Sequence, residues 1–215
     1  MGMQKFSKGE AVKFGWQTVK ANFGFLLLVL LVTMTVPGAL NFVSVPLASV
    51  SIALSILAQL ASWSANIIFG MGLINISLKF CAGQKPVFED LFSCARLMPF
   101  LYYLTASVFY MLIMFCGFLL LIIPGIIWAI GFQLAPYFVV DKGMDPLEAL
   151  KKSWAATRGA KWDLFIFGLL LGLINMLGFL ALMVGLLFTL PLSMVAMAYV
   201  YRKLAVQAEP VVQVV

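Results

Sequence analysis

Enzymatic chemistry needs a positioned nucleophile or a proton carrier of suitable pKa, and this chain offers few groups of either kind. It contains no histidine, so the commonest general base and the commonest metal ligand are both missing. Its three cysteines, Cys81, Cys94 and Cys116, are odd in number and share no paired spacing, which argues against a disulfide framework. Cys81 and Cys94 occupy one charged segment without the further ligands that a zinc site needs. Glu89, Asp90 and Asp141 also lie in charged segments, where solvated helix caps account for them better than acid–base pairs. No CxxC, HExxH or Gly-rich phosphate loop occurs. These residues predict no enzymatic activity and no cofactor or metal.

The remaining polar chemistry sits in long charge-free stretches. Its amides are Gln59, Asn66, Asn75, Gln133 and Asn175. An asparagine in a membrane helix usually bonds a neighbouring helix, for about 0.6–2 kcal/mol. Asn66, Asn75, Gln133 and Asn175 are therefore read as helix contacts, with a polar substrate path as the alternative. Two breaks match each other: GFLLLIIP over 117–124 and GLLFTLP over 185–191, each followed by a shortened apolar segment. Short, proline-interrupted segments at corresponding positions can mark a transporter site. The simpler reading makes Pro124-Gly125 a turn between spans, with Pro136 and Pro191 as further breaks of a kind that membrane helices tolerate. Gly168 and Gly172 form a G-x-x-x-G pair able to seat another helix.

What must position these groups is a membrane. The chain is 64% hydrophobic and 10% charged, against about 45–50% and 25% for a soluble domain. Such an excess cannot be hidden inside 215 residues. The charges fall in four windows, 1–20, 79–96, 141–163 and the tail from Arg202, leaving 21–78, 97–140 and 164–201 free of charge. A helix rises about 1.5 Å per residue and must cross about 30 Å, so each stretch holds two spans. All 14 Lys and Arg then fall on one side, which the positive-inside rule assigns to the cytoplasm. The expected spans are 22–38, 48–78, 99–122, 126–140, 163–183 and 187–202: an all-α polytopic membrane protein in a single domain, with both termini cytoplasmic. Re-entrant hairpins obey the charge rule equally, and the short fourth and sixth segments leave that alternative open. A cleaved signal peptide over 1–40 is a further alternative, disfavoured because the region before the apolar run reads as a structured helix. The net charge of +6 is scattered over four clusters, which excludes a nucleic-acid footprint.

A short amphipathic helix precedes each expected hairpin. Ser7 and Glu10 make an S-x-x-E capping box that opens a helix over 8–20, with Val12, Trp16, Val19 and Phe23 on its apolar face. Asp145-Pro146-Leu147-Glu148 opens a helix over 145–158 with Met144, Leu147, Leu150 and Trp154 as its stripe, and Gly159 stops it. A third is expected over 86–96. The hairpins that follow these elbows run over 22–78, 99–140 and 163–202. Ala11-Val12-Lys13-Phe14-Gly15-Trp16 also parallels Ala149-Leu150-Lys151-Lys152-Ser153-Trp154, so elbow plus hairpin is read as a threefold repeat. Trp16, Trp154 and Trp162 are expected near the headgroups, with Lys151 and Lys152 beside anionic lipid at about 1 kcal/mol each.

Residues 122–165 resemble bacterial integral membrane proteins of the DUF975 type, which are similar to the membrane domain attached to some glycerophosphodiester phosphodiesterases. The marks are Ile123-Pro124-Gly125, Ala135-Pro136-Tyr137, Glu148-Ala149-Leu150 with Ser153-Trp154, and Lys161-Trp162. Gly15-Trp16 with Asn22-Phe23, Ser77-Leu78-Lys79, Gly83-Gln84-Lys85-Pro86 and Asp90-Leu91-Phe92 extend it over nearly the whole chain. The resemblance implies a bacterial inner-membrane protein and no activity. Two functions are expected from the residues themselves. The first is a non-enzymatic module that binds membrane lipids, another membrane protein or itself. The second is a transporter or oligomeric channel for a small or amphipathic substrate.

Overall fold

An apolar backbone shielded from water must bond to itself, and a helix does this within one segment. The computed structural model describes residues 6–120, 122–181 and 184–208, and every regular element among them is helical. In order these are α1 (Lys8–Ala21), α2 (Phe23–Val50), α3 (Ile52–Cys81), a 3-10 turn (Phe88–Leu91), α4 (Leu97–Leu120), α5 (Ile122–Phe132), α6 (Ala135–Lys142), α7 (Pro146–Thr157), α8 (Lys161–Leu180) and α9 (Leu186–Ala208). Among the described residues, five segments are long and apolar enough to cross a membrane: Phe23–Leu47, Ile52–Cys81, Leu97–Gly117, Pro124–Lys142 and Lys161–Leu180. The expected sixth, 187–202, falls on α9, which is not among the five.

The physical reason lies in the position of α9. It packs against α1, α2, α3, α7 and α8, and Leu192, Val195, Ala196, Ala198, Val200, Tyr201 and Leu204 are buried along it. Lipid contact is what demands apolarity all round a helix. A helix sheathed by protein can carry small and polar residues instead.

The first arm is longer than expected. The turn anticipated after residue 38 is absent, and α2 runs through Pro37 and Pro46 to Val50 before the chain reverses at Ser51. With 28 and 30 residues, α2 and α3 are about 42 and 45 Å long. Pro-Gly is a turn signal where water competes for the freed backbone groups; beside a helix of small polar residues it is tolerated. Here the Ser62 hydroxyl donates to Pro37 O at 3.1 Å, Asn41 Nδ2 donates to Ser62 Oγ at 2.8 Å and Ser44 Oγ donates to Gln59 Oε1 at 3.3 Å, so the two helices are laced together beside the first proline.

The expected amphipathic helix over 86–96 is replaced by the 3-10 turn and irregular backbone. Local side-chain bonds compete with a helix there. The Asp90 carboxylate takes the Val87 N–H at 2.9 Å, and Ser93 Oγ donates to Asp90 O at 2.9 Å. The fourth span is broken as well, at Gln133-Leu134 between α5 and α6. The expected break at Pro124-Gly125 falls instead in the first turn of α5, Pro136 sits in the first turn of α6, and Pro191 lies inside α9. A first-turn proline sacrifices no helical hydrogen bond.

Glycines sit where helices come closest. Gly117 meets Gly125 between α4 and α5, where a Cβ on Gly117 would lie 2.8 Å from Gly125 Cα. Gly178 meets Gly185 between α8 and α9 in the same way. At Gly168 and Gly172, the G-x-x-x-G pair, an added Cβ would meet nothing within 4 Å, so the pair seats no helix among the described residues.

Candidate functional site

The four charged windows are joined by side-chain contacts. Lys8 Nζ pairs with Asp163 Oδ1 at 2.8 Å, linking the first window to the third. Tyr201 OH donates to Asp141 Oδ2 at 2.9 Å, and Arg202 Nη2 lies 3.9 Å from Asp141 Oδ1, linking the tail to the third. Arg202 Nη2 also donates to Leu78 O at 3.2 Å, beside the second window, where Lys79 pairs with Asp90. The windows therefore meet at one end of the bundle. Burial alone would raise the Asp90 pKa; the hydrogen bonds from Lys79 and the Val87 N–H and the Lys79 charge outweigh it and hold the carboxyl below its ordinary range. It is ionised at neutral pH and keeps both donors. Cys94, in the same connector, is pushed up by burial and is a poor nucleophile at neutral pH.

The two capped helices at this end form where expected. Ser7 Oγ accepts the Glu10 N–H at 3.3 Å to open α1, and the Asp145 carboxylate accepts the Leu147 N–H at 3.2 Å to open α7. Val19 and Leu150 of the expected stripes are buried, and the rest of each buried face is made of other, mostly small residues. In α1 the buried residues are Ala11, Gly15 and Val19, while Trp16 is 44% exposed. A Cβ on Gly15 would stand 2.8 Å from Leu192 O of α9, so only a glycine allows this approach. In α7 the buried residues include Ala149, Leu150, Ser153, Ala156 and Thr157, while Leu147 is exposed. Helices that pack on protein beside lipid use small residues for the protein contact and turn large ones outward.

Helix α7 also repairs the break at 133–134. Ser153 Oγ donates to Gly131 O at 2.8 Å and accepts the Leu134 N–H at 3.2 Å. Thr157 Oγ1 donates to Gly131 O at 3.2 Å. Both hydroxyls are buried, and they satisfy backbone groups that the interrupted helix leaves open. Trp154, expected among the headgroups, is only half-exposed: it stacks on Phe132 at 5.1 Å and its ring lies against Gly131. Lys161 Nζ stands 3.1 Å from the Trp154 ring centroid. Trp162, by contrast, is 71% exposed and stacks on Phe165 at 5.5 Å. Lys151 is exposed and Lys152 half-buried. Between α5 and α8, Ile126, Ile127, Ile130, Phe165, Lys161 and Trp162 enclose a groove of about 330 Å³.

The amides divide. Asn175 Nδ2 donates to Ser193 Oγ at 3.0 Å, tying α8 to α9. Asn75 Nδ2 donates to Ser93 Oγ at 2.7 Å and to Asp90 O at 3.3 Å, tying α3 to the connector. Asn66 Nδ2 bonds Ser62 O of its own helix at 2.9 Å. Gln133 Nε2 is buried with no partner among the described residues. None of the four lines the second cleft, about 220 Å³ between α3, α4, α6 and α9, whose walls include Leu73, Ile74, Ser77, Tyr103, Tyr137 and Met194.

Part of this end of the bundle, from the end of the connector onward, falls within a recognised family region. Residues 92–215 match the model of a domain of unknown function, DUF7847. The chain belongs to the DUF7847 family. The α7 repair, the Lys161–Trp154 contact and the Asp141–Tyr201–Arg202 cluster all lie within the DUF7847 region, and α1 to α3 precede it. No curated protein and no solved structure matches the chain. Nothing in these comparisons connects it to the DUF975 type or to glycerophosphodiester phosphodiesterases.

The sequence reading missed the Asp141–Tyr201–Arg202 cluster and the groove. Asp141 read as a solvated cap because its partners lie 60 residues away in sequence. The juxtaposed Lys161-Trp162 was the one local signal of the groove.

Proposed function

We propose that this chain is a non-enzymatic multi-pass module of a bacterial inner membrane, with six spans and both termini cytoplasmic, that binds membrane lipid at its charged end. The observation that carries the reading is the pair of capped helices, α1 and α7. They dock through small residues and turn Trp16 and Leu147 outward beside exposed lysines, the side-chain set of a membrane interface. The joined charge windows support a single cytoplasmic face, and placing α9 across the bilayer brings the tail back to that face.

Transport is the second reading, favoured by the cleft between α3, α4, α6 and α9, whose mostly apolar wall includes Ser77, Tyr103 and Tyr137. Reconstitution into liposomes separates the two. The expected result is no flux of uncharged or amphipathic solutes and no hydrolytic or redox turnover, with tryptophan emission quenched by lipids brominated near the headgroup. Solute flux that is lost on changing Tyr103 to phenylalanine or Gln133 to leucine, with the fold intact, would overturn lipid binding in favour of transport.

A further inference from the structure

A cation next to a lipid-facing groove is normally neutralised by a carboxylate. The nearest acid in sequence to Lys161 is Asp163, and Asp163 is held by Lys8 at 2.8 Å. Lys161 has no ion-pair partner among the described residues. Its ammonium is steadied instead over the Trp154 ring at 3.1 Å, a contact that fixes position without removing charge. Trp154 itself stacks on Phe132 and lies against Gly131. Lys151, Lys152 and Arg158 precede Lys161 in the chain, on α7 and at its end.

Below this cation the surface is apolar. Ile126, Ile127 and Ile130 share a face of α5, and Phe165 lies one turn into α8 from Lys161. The groove they form, about 330 Å³, lies in the range of ligand sites, about 300–1,000 Å³. Trp162 stands exposed at its rim, as a headgroup-level aromatic does. A fixed charge at the mouth and hydrocarbon walls beneath match one molecule with an anionic head and an apolar tail.

We propose that the groove between α5 and α8 is a site for a single anionic phospholipid, with an acyl chain along Ile126, Ile127, Ile130 and Phe165 and the headgroup phosphate at Lys161. This rests on the reading that the charged end meets the bilayer. A zwitterionic lipid brings a phosphate already compensated by its own cation. An anionic one brings net charge, and one lysine near a lipid surface contributes about 1 kcal/mol, which is roughly a fivefold preference.

The test is native mass spectrometry of the full chain, released from detergent and titrated with dioleoyl phosphatidylglycerol or dioleoyl phosphatidylcholine. The expected result is a first phosphatidylglycerol adduct roughly fivefold tighter than the phosphatidylcholine one. Lys161→Gln should bring that ratio to about one while Lys161→Arg keeps it. Ile127→Trp should weaken both lipids by filling the groove. Soluble glycerol phosphate should not compete, since it lacks the chain. A phosphatidylglycerol preference that survives Lys161→Gln, or competition by glycerol phosphate, overturns the site. Equal retention of the two lipids by the wild type also overturns it while leaving lipid binding standing. Retention of neither lipid contradicts the broader function as well.

Discussion

Replacing Gly72 with alanine is expected to destabilise the protein by about 1–3 kcal/mol, as overpacking does. A methyl at this position overlaps the backbone of Leu91, at its carbonyl oxygen, Cα and carbonyl carbon. Backbone cannot rotate away as a side chain can, so the 3-10 turn must lift from α3. Lifting it strains the bonds that fasten the connector: Asn75 to Ser93 at 2.7 Å, Asn75 to Asp90 O at 3.3 Å and Lys79 to Asp90. Leu91, fully buried at present, would be uncovered. Gly168→Ala and Gly172→Ala are the controls. Nothing lies within 4 Å of either position, and alanine favours a helix over glycine by up to about 1 kcal/mol. Denaturant unfolding in mixed micelles should therefore show a clear loss for Gly72→Ala and none for the controls. Equal behaviour of all three would mean that the connector does not seat on α3.

Removing the Tyr201 side chain is expected to cost about 3–5 kcal/mol, in the range for deleting a buried aromatic. Tyr201 is fully buried, stacks on Tyr137 at 5.3 Å and meets Phe138 edge-on at 5.0 Å. Its hydroxyl donates to Asp141 at 2.9 Å. Tyr201→Phe keeps both ring contacts and loses only that charged hydrogen bond, so it should cost about 1.5–3 kcal/mol. Micellar unfolding of the two variants should place alanine well below phenylalanine. A phenylalanine variant as unstable as the alanine one would locate the whole effect in the hydroxyl and contradict the aromatic packing.

Much of the architecture was legible because lipid imposes simple rules. Apolar stretches free of charge had to become helices, and Ser7 and Asp145 marked the starts of α1 and α7 by supplying the missing acceptor. Internal punctuation was less legible. The first expected span ends at residue 38, yet α2 runs on through Pro37 and Gly38 beside Ser62 and Asn41. The interruption that did occur, at Gln133-Leu134, depends on Ser153 and Thr157 some 20 residues later in the chain. Neither hydroxyl carries a local signal of that role. Burial misled for a related reason. Leu147 is exposed although it matches the buried Leu150 in size and polarity, because in a bilayer being large and apolar does not imply facing inward. Asp141 was assigned as a solvated cap because Tyr201 lies 60 residues on, and the Lys8–Asp163 pair, 155 residues apart, carried no local signal. The groove at Lys161 emerges only once α5, α7 and α8 are placed together.

The proposed lipid site and the two interfacial helices all require that the four charged windows share the cytoplasmic face. Site-directed cysteine labelling in intact cells tests this most directly. In a background without Cys81, Cys94 and Cys116, single cysteines replace Lys85, Lys151 and Ser49, all exposed positions, the last at the far turn of α2 and α3. A membrane-impermeant maleimide is expected to modify the Ser49→Cys variant from outside and to reach the Lys85→Cys and Lys151→Cys variants only in inverted vesicles. Modification of the Lys85→Cys or Lys151→Cys variant in intact cells, or failure to modify Ser49→Cys there, would contradict the single cytoplasmic face.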